Sequence, residues 1–86
     1  MTERELFERA SKLHERRCKR NGCVYEQPSV TDSEISDDTN KPGPSSATII
    51  LRNIGGVIGV YRWRAWNDRM EYDEQASTKL WEKENK

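Results

Sequence analysis

Apolar residues recur along the first quarter of the chain with the period of a helix. At about 100° per residue, Leu6, Phe7, Ala10, Leu13 and His14 fall on one stripe. Arg9, Lys12, Arg16, Lys19 and Arg20 fall on the opposite face. Thr2 with Glu5 reads as a capping box, and Asn21-Gly22 as a left-handed stop whose basic last turn complements the helix dipole. The pattern predicts a helix over 3–20. Arg17 lies at the centre of the apolar stripe, so the last turn should project beyond the sheet that the helix covers.

Val24 and Tyr25 favour an extended segment, which Pro28 ends. Residues 29–46 are rich in Ser, Thr, Asp and Pro, with Ile35 as the expected anchor. Such a composition cannot repay the entropy of ordering it. A mobile acidic loop over about 29–46 is the expectation.

The pattern changes to strand in "TIILRNIGGVIGVYRWRAW", residues 48–66. Ile54, Gly55 and Gly56 divide two runs of β-branched and aromatic residues, the signature of a tight hairpin. With a two-residue turn, Ile49 and Leu51 share a face with Ile58 and Val60. Ile50 then shares the other face with Val57, Tyr61 and Trp63, and this aromatic face carries Arg52. A one-residue slip would exchange the faces. "WND" at 66–68 reads as a turn and "RMEYD" as a short third strand. Asp73 can cap a final helix over about 74–84, with Ala76, Leu80 and Trp81 on its narrow apolar side. The result is one small α+β domain over 1–86: an N-terminal helix on a small antiparallel sheet with a central hairpin, then a short C-terminal helix.

Composition narrows the function. The chain has 86 residues, 33% hydrophobic and 35% charged, with a mean hydropathy of −1.08. Only a small core can form. Fifteen basic residues balance fifteen acidic ones, unevenly placed: 1–25 carry +3, 26–46 −4, 47–72 +2 and 73–86 −1. Zero net charge argues against a protein held on nucleic acid mainly by phosphates, but permits a local basic patch. No apolar run reaches the ~20 residues of a membrane span, and Met1 leads into charged residues rather than a signal peptide. A cytoplasmic protein is expected, with Cys18 and Cys23 as reduced thiols.

Candidate chemistry is sparse. His14, Cys18 and Cys23 come nearest to a metal set, but structural zinc wants four ligands and no other His or Cys exists. The expectation is no metal and no cofactor. A glycine-rich phosphate loop and a nucleophile elbow are both missing from the sequence, so no enzyme is expected. "HERRCKR" reads as ordinary dipole complement or as a patch for an acidic partner. "YRWRAW" reads as core, as protein-interface anchors, or as a base-stacking surface.

"NGCVYEQPS", "SEI" and "ILRNIGGVIGVYRWR" together resemble a group of small proteins of cyanobacteria and their phages. That group shares an N-terminal helix, a Tyr-x-Gln-Pro-Ser element and a Leu-Arg-Asn strand before a glycine hairpin. This chain departs from it in the acidic insert at 36–46 and in the tail after Trp66. The resemblance implies a bacterial or phage cytoplasmic protein and brings no activity with it. The functional expectation is a non-catalytic protein-binding module: a regulator, an adaptor or a phage-type inhibitor. Its candidate contacts are Arg52, Tyr61, Trp63 and Trp66 on the sheet and Arg16, Arg17, Lys19 and Arg20 at the helix end. A nucleic-acid-associated protein is the alternative, and a homodimer stays open.

Overall fold

The structure is a computed structural model that describes residues 2–37 and 46–84. Helix α1 spans Glu3–Asn21. Thr2 Oγ1 accepts from the Glu5 N–H at 3.2 Å, as the capping pattern predicts. At the other end Gly22 adopts φ 72°, and the Cys23 N–H bonds the Cys18 carbonyl at 2.8 Å to close the last turn.

Four strands follow: β1 Glu34–Asp37, β2 Ser46–Asn53, β3 Gly56–Arg64 and β4 Arg69–Tyr72. They form one antiparallel sheet in the order β1-β2-β3-β4. Helix α2, Glu74–Glu84, completes the α+β fold and begins where Asp73 was expected to cap it. The Asp73 carboxylate accepts from the Ala76 N–H at 3.0 Å. Among the described residues no helix is long and apolar enough to cross a membrane.

The expected loop over 29–46 gives way in part to structure. Residues 34–37 are the edge strand β1, and Ile35 packs against the core as its anchor. Ser33 locks the approach to this strand. Its hydroxyl donates to the Ser29 carbonyl at 2.7 Å and accepts from the Arg52 N–H at 3.0 Å. A single apolar residue among polar neighbours gives no alternation from which a strand can be read. Residues 38–45 of the expected loop lie outside the described residues.

The sheet faces also differ from the expected pairing. The turn does have two residues, with Asn53 opposite Gly56 and Arg52 opposite Val57. A bulge then intervenes: Leu51 pairs with Gly59, leaving Ile58 as the extra residue of β3. Beyond it Ile49 pairs with Tyr61, and Ala47 with Trp63. Tyr61 and Trp63 therefore share the face of Ile49 and Leu51, not that of Ile50. This is the face that α1 covers. Leu6, Ala10, Ala47, Ile49, Leu51 and Tyr61 make the buried core there.

Gly59 makes the exchange sterically workable. A Cβ at this position would lie 3.0 Å from Tyr61 Cε2, so any larger residue would push against the buried ring.

Helix α2 packs on β3 past the end of β4 and reaches β2 through the ion pair of Glu84 with Arg52. On β3 it takes over the role of a strand partner. The Val60 carbonyl accepts from the Asp73 N–H at 2.9 Å, and the Val60 N–H donates to Ser77 Oγ at 2.8 Å. Ser77 Oγ in turn donates to the Asp73 carbonyl at 2.7 Å. A buried hydroxyl thus closes a sheet edge that would otherwise present an orphan donor. Replacing Ser77 with Ala should cost about 1–3 kcal/mol, the penalty of leaving a buried N–H unpaired. Urea denaturation measures it, and a variant as stable as the wild type would show that Ser77 closes nothing.

Candidate functional site

Two clusters gather the residues that carry chemistry. The first lies inside the domain, where the last turns of α1 meet the sheet. His14, Arg17 and Cys18 stand three and four residues apart, so they share one side of the helix. Tyr61 is 0% exposed, and its hydroxyl meets His14 Nδ1 at 3.0 Å. The other ring nitrogen, Nε2, lies 3.6 Å from Cys18 Sγ. The rings of Tyr61 and Tyr72 pack at 5.4 Å, and the Arg17 guanidinium sits 3.7 Å from the centre of Tyr72 as a cation–π contact. Tyr25 closes the outer side, 5.9 Å from the His14 ring.

Burial shapes the ionisation of this cluster. Desolvation, with the Arg17 charge adding to it, holds His14 below its ordinary range and so keeps the imidazole neutral. Desolvation also pushes up the Cys18 thiol, the Tyr25 phenol and, most strongly, the Tyr61 phenol. The cluster is a chain of neutral hydrogen-bonding groups, with no ion pair between Cys18 and His14. Cys23 is exposed, and its Sγ lies 4.0 Å from the Asn21 carbonyl. Among the described residues no three His, Cys, Asp or Glu side chains form a group that could hold a metal.

The second cluster is on the surface. Arg9, Lys12, Leu13 and Arg16 of α1 face Asp68, Arg69 and Met70 across a groove of about 340 Å³. Asp68 ties the two walls together. Its Oδ1 accepts from Arg9 Nη1 at 2.6 Å and from Trp63 Nε1 at 3.0 Å, and its carbonyl accepts from Arg9 Nη2 at 3.1 Å. Those bonds, Arg9's first, hold the Asp68 carboxyl below its ordinary range. They also account for a non-glycine residue at φ 51° in the turn before β4. Lys12, Arg16 and Arg69 have no ion-pair partner among the described residues. In the turn before β4, Trp66 is 66% exposed.

The candidates read from the sequence therefore separate. Tyr61 is core, and its phenol is not available to a partner. Trp63 is half-buried and engaged with Asp68. Arg52 is held between Glu34 at 3.2 Å and Glu84 at 2.8 Å, with 18% of its side chain exposed. Arg62 pairs with Asp73, and Arg64 with Glu71, both at 3.4 Å. Arg17 is committed to Tyr72, and Lys19 to Glu15 at 3.4 Å. Trp66, Arg16 and Arg20 remain on the surface, and the structure adds Lys12 and Arg69. The sequence places Lys12 on the polar side of α1. That β4 brings Arg69 and Met70 beside it depends on tertiary packing and leaves no mark in the local pattern.

The lowered His14 value gives a sign to acid sensitivity. Its imidazole ordinarily protonates near 6.5, and in the folded chain it does so only at lower pH. Between those two points the unfolded chain binds more protons, so stability falls as pH falls. Above 6.5 that slope fades as the unfolded imidazole also loses its proton. Melting temperatures of wild type and His14→Gln between pH 7.5 and 5, on the order of the range where histidines titrate, should diverge in slope, with the wild type the steeper. Parallel profiles would mean that His14 titrates alike folded and unfolded.

Comparisons with protein-family models, with curated proteins and with solved structures give no match.

Proposed function

We propose that this protein is a non-catalytic binding module that docks an acidic partner protein on the face shared by α1 and β4. The cations Lys12, Arg16 and Arg69, which have no ion-pair partner among the described residues, around a floor of Leu13 and Met70 carry the reading. Arginine and tryptophan are the residue types that anchor protein interfaces, and the exposed Trp66 lies two residues before Asp68, which lines this groove. The other arginines of the sheet already have carboxylate partners, so this face holds the charge that a partner could neutralise. Electrostatics of this kind steers association and fixes register more than it adds raw affinity. A regulator, an adaptor or a phage-type inhibitor would work in this way.

Base stacking by the aromatic strand has less support. Tyr61 is buried and the Trp63 indole is bonded to Asp68, which leaves no continuous aromatic platform for single-stranded nucleic acid.

The test is affinity capture from bacterial lysate with nuclease present, comparing wild type with Lys12→Glu/Arg16→Glu. Both positions are exposed or nearly so on α1, so the double variant should melt within a few degrees of the wild type, as surface changes of roughly ±0.5 kcal/mol each do. The wild type should retain a protein that the variant loses, and added salt should weaken the capture. Identical captures by the two proteins, or loss of every captured protein on nuclease treatment, would overturn the reading.

A further inference from the structure

Cys18 and Cys23 are both free thiols, and the docking reading uses neither. Their main chains are tied together. The 2.8 Å bond from the Cys23 N–H to the Cys18 carbonyl is the closing bond of the helix cap, a motif in which the side chains of these two positions commonly touch. The ring closed by that bond brings the two main chains together, as a disulfide, which spans a Cα separation of about 4.4–6.8 Å, requires. The two sulfurs differ in access: Cys23 is exposed, whereas Cys18 is 8% exposed. His14 Nε2 stands 3.6 Å from Cys18 Sγ, and the Tyr61 hydroxyl steadies the opposite ring nitrogen at 3.0 Å.

We infer that Cys18 and Cys23 form a redox-active dithiol that closes to a disulfide on reaction with a low-mass disulfide such as oxidised glutathione, with His14 as the base for Cys18. The exposed Cys23 loses its proton to solvent and attacks one sulfur of the oxidant. A mixed disulfide forms at Cys23, and one glutathione leaves as its thiolate. Cys18 then passes its proton to His14 Nε2 and attacks the Cys23 sulfur. The bond between Cys23 and glutathione breaks, and the second glutathione leaves as a thiolate. Two protein thiols are oxidised by two electrons, and one oxidised glutathione is reduced to two thiols. This route assigns the Nδ1–H of His14 to Tyr61 Oη, leaving the Nε2 lone pair facing the thiol.

The division of labour follows from the surroundings. Burial first, and then proximity to Cys23, push the Cys18 thiol above its ordinary range, so this sulfur needs a local base to become a nucleophile. Cys23, exposed at the end of the helix, can meet the oxidant directly. The dithiol sits beside Lys19 and Arg20 in the last turn of α1, the helix whose cations form the docking groove. Closure would pin that turn against fraying.

Intact-mass measurement of the whole chain during titration with reduced and oxidised glutathione tests the inference. The wild type should lose the mass of two hydrogens and remain a monomer, without accumulating a glutathione adduct. Cys18→Ser should hold one glutathione, mapped to Cys23, and Cys23→Ser should react at least tenfold more slowly. His14→Asn should slow closure about a hundredfold, the scale of a lost general base, and so accumulate the adduct at Cys23. A stable wild-type adduct at Cys23 with Cys18 reduced, or a dimer linked between chains, would overturn the dithiol. Closure in His14→Asn at the wild-type rate would overturn the role of His14.

Discussion

The fold depends on burying a tyrosine. Tyr61 lies at the centre of the sheet face that α1 covers, and it is the largest side chain that is wholly enclosed. A phenol in that position needs room for its ring and a partner for its hydroxyl. Gly59 supplies the first by leaving out a side chain where a Cβ would press on the ring. His14 supplies the second, which fixes how the last turns of α1 approach β3. The bulge opposite Leu51 completes the arrangement by turning Tyr61, rather than Val60, towards the helix. Val60 is left for the other side, where Ser77 and Asp73 close its backbone.

This burial decides which surfaces remain for a partner. Once Tyr61 and Trp63 are turned under α1, the aromatic strand no longer offers a continuous face. The opposite sheet face is crossed by ion pairs, with Arg52, Arg62 and Arg64 all engaged. Among the described residues, Lys12 and Arg16 on the outer side of α1 and Arg69 on β4 are left without a counter-charge. Asp68 joins those two elements through Arg9 and Trp63, so the groove has walls fixed by hydrogen bonds rather than by loose side chains. A chain of zero net charge thereby keeps a local cationic surface.

Much of the fold was legible because its signals are local. The cap of α1 at Thr2, its stop at Gly22, the hairpin glycines and the Asp73 cap of α2 each lie within a few residues of the feature they specify. The sheet register was not legible. The glycine turn was readable though its length was not fixed, and the bulge at Ile58 goes with packing Tyr61 against α1, which is remote in sequence. Strand β1 was missed because Ile35 alone gives no alternation, and its support comes from Ser33 bonding Arg52 across the sheet. The same limit applies to the surface. Arg16 and Trp66 could be named from the sequence, whereas Lys12 and Arg69 become neighbours only after β4 has paired with β3.

The burial of Tyr61 is open to one direct measurement. With tyrosine ring carbons labelled, the pH titration of each phenol can be followed by nuclear magnetic resonance while the protein stays folded. An ordinary phenol ionises near 10, and desolvation should hold Tyr61 protonated well above that point, until the chain itself unfolds. A Tyr61 signal that stays in its protonated position through the whole folded range is the predicted result. Ionisation of Tyr61 near 10 in the folded protein would place its hydroxyl in water and contradict the account.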